Sequence, residues 1–321
     1  MDVEPLFAAV FERPGDDGAR QVLADALQEA GDPRGEFISL SLQRRRNERS
    51  ERRMQKLLDR HRGTFMRGLS KLVMPGGDRV WSRGFLSEAT VLLEGLQVEL
   101  PDLATLEKVE VVFSPAAPLE LASPHMKSLR EVQQAGLSAV PVLFDAPRPL
   151  ASIEAVSLSG PGDLEAWPLT VRDSLSRAAS LPNLHKLTLA ANRANFDEAH
   201  WVWRLALNRR LKTLEFAGSF RGMPLREVLD GLRRVESPPP AIVFQFVGMT
   251  IRVRAADRFR SLQVDVEPPT GVVVLTSMLQ TLAPDALDDL AVTASGPLDS
   301  ALTGSLRIAA RRLKLTNLEL P

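Results

Sequence analysis

Short alternations of apolar and polar residues recur along this chain at repeat-like intervals. One copy runs Leu184-x-x-Leu187-x-Leu189 and is closed by the polar residue Asn192. It returns 27 residues later as Leu211-x-x-Leu214-x-Phe216, closed by Ser219. Each copy predicts a short β-strand with its alternate side chains in a core, followed by a polar turn.

The same template fits at ten places, and the copies at 153, 184, 211, 287 and 310 fit best. At 129 the template keeps Val132 but has Gln134 at an apolar position. The interval after Ala241 is too short for a helix, so 242–247 and 250–254 are predicted as a β-hairpin. The candidate strands begin at Leu86, Leu106, Leu129, Ile153, Leu184, Leu211, Ala241, Phe259, Leu287 and Ala310.

Helical periodicity separates several of these strands. Apolar residues follow the i, i+3, i+4, i+7 pattern over 225–232 after Pro224, over 275–282 before Pro284, and over 199–206. Parallel strands need a crossover of about this length. Strand, turn and helix at intervals of 27 or 28 residues resemble the long class of leucine-rich repeat. The resemblance implies an α/β solenoid over residues 76–321, with a curved parallel sheet inside and helices outside.

Residues 1–75 are predicted to form a separate helical cap. Leu6, Phe7 and Val10 share one helical face, and Val22, Leu23 and Leu27 share another after the break at 14–17. A third helix is expected to begin with Asp32 as its N-cap and Pro33 at its first position. Residues 43–53 hold no apolar side chain, which favours two helices meeting at 47–50 over one long helix.

This cap resembles the bacterial repeat-companion domain over residues 5–95. The resemblance rests on Arg20-x-Val22-x-Ala24-Asp25-x-Leu27-x-Glu29-x-Gly31-Asp32-Pro33-Arg34-Gly35-Glu36-Phe37-Ile38, and further on Leu57-Leu58-x-x-His61 and Trp81-Ser-Arg83-Gly84-Phe85. Ala26 stands where the family usually has tryptophan. The resemblance implies a cap fused to repeats and carries no activity. Asp25, Arg34 and Glu36 either form a site or tie helix ends together, and the second interpretation is favoured.

The amino-acid composition limits the classes of function that this chain can have. The chain has no net charge at neutral pH, so no overall field attracts nucleic acid or anionic lipid. It has no cysteine, which excludes disulfides, thiol catalysis and zinc–thiolate sites, and we expect a cytoplasmic protein. The four histidines are scattered, and no catalytic or nucleotide-binding motif occurs. We therefore expect no enzymatic activity, no metal and no cofactor.

A basic run is the sharpest charge feature. Residues 37–70 carry ten Lys and Arg against three acidic residues, while residues 1–36 carry nine acidic residues against three arginines. One interpretation is a helix that binds nucleic acid or an anionic membrane. The favoured interpretation is that the two segments fold together and that their opposite net charges largely cancel. The candidate basic surface comprises Arg44, Arg45, Arg49, Arg52 and Arg53.

The residues between the apolar positions of each strand are predicted to face the concave surface. Both charge signs occur there, which suits a protein partner better than a nucleic acid. The leading hypothesis is therefore a non-enzymatic scaffold that binds another protein on this surface. Trp201 is a candidate exposed anchor, or else it covers a seam between helices. The candidate contact residues are Glu110, Glu131, Lys186, Thr188, Thr213, Glu215, Gln263, Asp265, Asp289 and Lys314.

Overall fold

The computed structural model shows an α/β protein whose strands are mostly parallel, which confirms the predicted class. It describes residues 2–94, 99–112, 116–191, 200–218, 225–233, 235, 238–246 and 248–320. The predicted turn residues Asn192 and Ser219, together with Ala199, Pro224 and Val247, lie outside the described residues. The chain divides into two compact units, Met1–Ile153 and Glu154–Pro321. The predicted boundary at residue 75 falls inside the first unit.

The first unit begins with four helices, as the sequence predicts. Side chains cap three of them: Asp16 accepts hydrogen bonds from the amides of residues 18 and 19, Asp32 from that of residue 34, and Asn47 from that of residue 50. Two helices meeting at 47–50 are confirmed over a single long one. The helices are α1 (Glu4–Glu12), α2 (Asp17–Glu29), α3 (Pro33–Leu42) and α4 (Glu48–Met66).

Aromatic rings and arginines fill the core between these helices. The guanidinium of Arg34 lies 5.0 Å from the ring centroid of Phe7 and 4.6 Å from that of Phe85. Burial lowers the pKa of Arg34 to about 10, so the group stays charged at neutral pH. Arg34 is thus a core residue that stacks on rings, which differs from both the site and the tie between helix ends that the sequence suggested. The predicted apolar face of α2 is wrong at Val22, which is 56% exposed.

Four strands follow in the described part of the first unit. β1 and β2 are antiparallel and joined by the two-residue turn Arg83-Gly84, both with positive φ. β2, β3 and β4 are parallel, as predicted. Gln134 in β4 has a φ of 53°, which interrupts the alternation and buries Ala135 instead. The elements are β1 (Arg79–Ser82), β2 (Phe85–Val91), β3 (Lys108–Val111), β4 (Glu131–Gly136) and α5 (Ala139–Phe144).

The second unit alternates strands with helices or 3₁₀ turns. β5 to β8 are parallel, β8 to β10 are antiparallel, and β10 to β12 are parallel again. The elements are β5 (Ala155–Ser159), α6 (Leu169–Arg177), β6 (Lys186–Ala190), β7 (Thr213–Ala217), α7 (Leu225–Arg233), β8 (Ala241–Phe246), β9 (Met249–Arg254), β10 (Ser261–Val266), α8 (Thr270–Gln280), β11 (Asp289–Ala294), α9 (Ser300–Leu313) and β12 (Asn317–Glu319).

One face of these strands forms the core of the second unit. The template leucines at 184, 187 and 189 are all buried, and Phe216 of β7 stacks on Phe244 of β8 with ring centroids 5.3 Å apart. The crossover segments cover this face: α8 packs on β9 and β10, and Trp203 meets the edge of the Phe216 ring. The other side chains of each strand therefore form the opposite face.

Two predicted elements of the second unit are wrong. The strand predicted from Ala310 is the last turn of α9, and the strand β12 begins only at Asn317. Leu306, Ala309, Ala310 and Leu313 are buried at helical intervals, so the apolar residues taken for a strand belong to the buried face of this helix. The helix predicted over 199–206 is two short 3₁₀ turns, at 200–204 and 206–209.

Candidate functional site

Polar side chains line up across the second unit because its strands are in register. Ser157, Thr188 and Glu215 are neighbours on successive parallel strands. The row continues through Val243 to Arg252 in the hairpin, and then to Gln263, Ala291 and Glu319. We call this surface the polar strand face of the second unit, and it comprises this row and the rows on either side of it. One adjoining row contains Lys186, Thr213 and Arg254, and the other contains Gln245, Thr250, Asp265 and Thr293.

Glu215 is the most buried charge on the polar strand face, at 4% exposure. Lys186 Nζ lies 2.8 Å from its Oε2, and Thr188 Oγ1 donates to the same oxygen at 3.1 Å. Gln245 donates to Oε1. Lys186, Thr188 and Glu215 thus lie together on one face of the strands, as the sequence predicts. They satisfy one another, however, so Glu215 acts as the centre of a polar network within the sheet.

Asp265 forms the second network. Arg252 pairs with it from the neighbouring antiparallel strand β9, and Thr293 Oγ1 donates to it at 2.9 Å from β11. Burial works to raise the pKa of Asp265, but the hydrogen bonds from Arg252 and Thr293 outweigh it and hold the pKa below its ordinary value. The carboxylate is therefore ionised at neutral pH. Reversing Glu215 or Asp265 to lysine would break these networks, so such variants test folding before they test binding.

A groove of about 580 Å³ crosses β9 to β12 on the polar strand face. Ala291 has a short side chain and forms a low point between Gln263 and Glu319. Ser261 Oγ donates to Asp289 at 3.0 Å along one wall. We call this the C-terminal groove; its polar lining residues are Arg252, Arg254, Ser261, Gln263, Asp289, Thr293, Asn317 and Glu319.

The C-terminal groove contains cations that the sequence prediction missed. Arg252 and Arg254 come from the antiparallel hairpin strand β9, where they alternate with the buried residues Ile251 and Val253. That alternation is visible in the sequence and places them on the polar strand face. Lys314, predicted for this surface, instead caps the end of α9 and lies 3.3 Å from Asp285.

The predicted residues of the first unit lie on its own strands. Glu131 lies 3.8 Å from Lys108 Nζ, which also approaches Glu88 at 3.9 Å. Glu110 accepts hydrogen bonds from Thr90 Oγ1 and from Gln134. These carboxylates occupy the polar side of β2 to β4, as expected from the alternation of the strands.

Trp201 is half-buried in the 3₁₀ turn at 200–204. Its ring centroid lies 6.3 Å from that of Trp167, and the guanidinium of Arg172 lies 5.5 Å from its centroid. This geometry favours the packing role over that of an exposed anchor. The side chain fills a seam between two crossover segments.

The predicted basic residues sit at the start of α4 and in the loop before it. All five are exposed. Arg52 lies 2.5 Å from Glu48 of the same helix, and Arg53 lies 2.5 Å from Glu36 of α3. Glu36 thus ties α3 to α4, the structural role favoured for it. Arg44 and Arg45 lie between the two helices.

Within the described ranges of the chain, no group of three metal-ligating side chains occurs. His185 Nδ1 lies 2.6 Å from the carbonyl oxygen of Glu154, and His61 stacks on Phe65. No helix in the described part of the chain is both long and apolar enough to span a bilayer. No family model, curated protein or solved structure matches the chain.

Proposed function

We propose that this chain is a non-enzymatic interaction protein that binds another protein on its polar strand face. The order and spacing of the strands support the interpretation of 76–321 as a degenerate leucine-rich-repeat solenoid. The four N-terminal helices, three of them capped by side chains, support the interpretation of this segment as a repeat-companion cap. In this proposal the repeats present the binding surface and the helices close one end.

The C-terminal groove is the observation that carries the proposal. It is a concavity in the polar strand face, lined by side chains of both signs. Arg254 is exposed, and Asp289 and Glu319 lie across the groove from it. A partner surface with mixed charges would find complementary groups there. Such complementarity sets orientation and association rate more than it sets affinity.

Binding is favoured over acid–base catalysis by the state of the acidic residues. The pKa of Asp265 is lowered by its hydrogen bonds, and a carboxylate of lowered pKa is a weak proton acceptor near neutral pH. Glu215 is held by three polar neighbours. Both carboxylates fix neighbouring side chains in place, which pre-organises a surface for a partner.

A charge-neutral swap tests the groove directly. The full chain carrying Arg254→Glu and Glu319→Lys is compared with the unchanged chain as bait for cross-linked capture from lysate. We expect the captured protein to fall by at least about tenfold, because each reversal places like charges in contact. The matched control, Asp173→Lys with Arg307→Glu, alters exposed residues of α6 and α9 by the same charges.

The control should retain full capture. Both variants should keep the thermal midpoint of the unchanged chain, since none of the four side chains is buried. Equal loss of capture in both variants, or undiminished capture by the groove variant, would refute the assignment of the groove as the binding site.

A further inference from the structure

The exposed side of α4 carries a row of cations. The helix buries Leu57 and Phe65 against Phe37, and Met54, Leu58 and Trp81 pack against this cluster. On the side away from this contact, five basic residues recur at intervals of three or four and so share one face. We call this face the α4 basic stripe: Arg49, Arg52, Arg53, Lys56 and Arg60.

Contacts in the first unit leave most of the stripe without a counter-charge. Arg49, Lys56 and Arg60 form no ion pair within the described residues. Two acidic residues of the first 36 form ion pairs with the basic run over 37–70 in the described structure: Glu4 with Arg67, and Glu36 with Arg53. Glu12 and Asp17 pair instead with Lys127 and Arg83. The expected cancellation by direct contact is therefore partial, and of the stripe itself it reaches only Arg53.

The geometry of the stripe suits a polyanion. From Arg49 to Arg60 it spans twelve residues, and the eleven steps between them extend about 16 Å along the helix axis. Four of its five cations are arginine, whose planar guanidinium matches the geometry of phosphate oxygens. Arg44 and Arg45 in the preceding loop add two further exposed cations beside its N-terminal end.

Two features decide which polyanion fits. The stripe holds no aromatic side chain, and binders of single strands require aromatic rings on which bases stack. The apolar face of α4 is buried against α3 and Trp81, so it cannot insert into a lipid interface as an amphipathic membrane helix does. A duplex recognised through its phosphates requires neither feature.

We propose that the α4 basic stripe binds the phosphate backbone of duplex DNA without sequence preference. The inference is independent of the proposed protein-binding function, because the stripe lies in the first unit and the C-terminal groove in the second. The guanidinium and ammonium groups displace condensed counterions from the duplex, so affinity falls steeply with salt.

The test uses fluorescence anisotropy of two labelled duplexes of unrelated sequence with the full chain. The variant Arg49→Gln/Lys56→Gln/Arg60→Gln removes three unpaired cations of the stripe. The matched control, Arg209→Gln/Arg307→Gln/Arg311→Gln, removes three exposed arginines of the second unit. Both triple variants change the net charge of the chain equally.

We expect the unchanged chain to bind both duplexes equally. The stripe variant should bind at least about tenfold more weakly, and the slope of log affinity against log salt should become shallower by about 3. The control should change affinity by less than about twofold. Circular dichroism and the thermal midpoint should match the unchanged chain for both variants.

Three results would overturn the proposal. One is equal weakening in the stripe variant and the control, which would indicate a response to net charge alone. Another is stronger binding of the unchanged chain to the single strand than to the duplex. The third is co-sedimentation with phosphatidylserine vesicles, abolished in the stripe variant, in the absence of duplex binding.

Discussion

Gly35 and Gly63 both lie inside α-helices, yet we expect replacement by alanine to have opposite effects on stability. Gly35 of α3 faces α2. A Cβ atom at this position would lie 2.5 Å from the carbonyl oxygen of Ala24 and 2.6 Å from the amide nitrogen of Gln28. Gly63 of α4 has nothing within 4 Å of the corresponding position.

The magnitudes follow from these distances. An ordinary contact needs about 3.5 Å, so Gly35→Ala must move α3 away from α2 by about 1 Å. Overpacking of this kind costs about 1–3 kcal/mol, and this case lies at the upper end, about 3 kcal/mol, because both obstructing atoms belong to backbone that cannot rotate away. The higher helix propensity of alanine offsets at most about 1 kcal/mol of this steric cost. We therefore expect a net loss of about 2 kcal/mol for Gly35→Ala and a gain of about 0.5–1 kcal/mol for Gly63→Ala.

Thermal unfolding followed by circular dichroism measures both variants. For a unit of this size, about 2–4 °C accompanies each kcal/mol. The midpoint of the first unit should fall by about 4–8 °C in Gly35→Ala and rise by about 1–4 °C in Gly63→Ala. An unchanged or raised midpoint in Gly35→Ala would show that α2 and α3 do not approach as closely as these distances require.

Two further predictions concern charge. Glu215→Lys should destabilise the second unit by about 2–4 kcal/mol in denaturant unfolding, because it removes the partner of Lys186 and adds a like charge. Glu215→Gln should cost less stability, and equal losses in the two variants would contradict this reasoning. Arg67→Met removes the cation 2.9 Å from Asp102, whose pKa burial already raises. Without Arg67, the pKa of Asp102 in the folded state lies further above its value in the unfolded chain, so ionisation of Asp102 opposes folding. The stability deficit of Arg67→Met should therefore grow as the pH rises from about 4 to about 7, and adding Asp102→Asn should reduce it. A deficit independent of pH would contradict this reasoning.

Most local structure was predictable because its causes are local. Asp32 followed by Pro33 specifies the start of α3 through a side-chain cap and a fixed φ. The leucines at 184, 187 and 189 specify β6 through alternation alone. The hairpin of β8 and β9 follows from an interval too short for a helix. In each case a few neighbouring residues contain the whole signal.

The failures share a different cause. The apolar residues near Ala310 fit both a strand template and a helix face, and only the packing of α9 against α8 selects the helix. Lys314 was misplaced as a consequence. Gln134 occupies an apolar template position, and its positive φ removes the conflict by shifting Ala135 into the core. A pattern of polar and apolar residues cannot choose between alternatives that bury the same side chains.

The sequence by itself determined the class of the protein, the four N-terminal helices and nearly all of the strands, because caps and periodicities act over a few residues. It also indicated which side of each strand is polar. Only the tertiary structure decided which polar groups meet: Gln245 reaches Glu215 across 30 residues, and Lys127 reaches Glu12 across 115. Strand register and helix packing set those pairings, and with them which charges are occupied and which remain available to a partner.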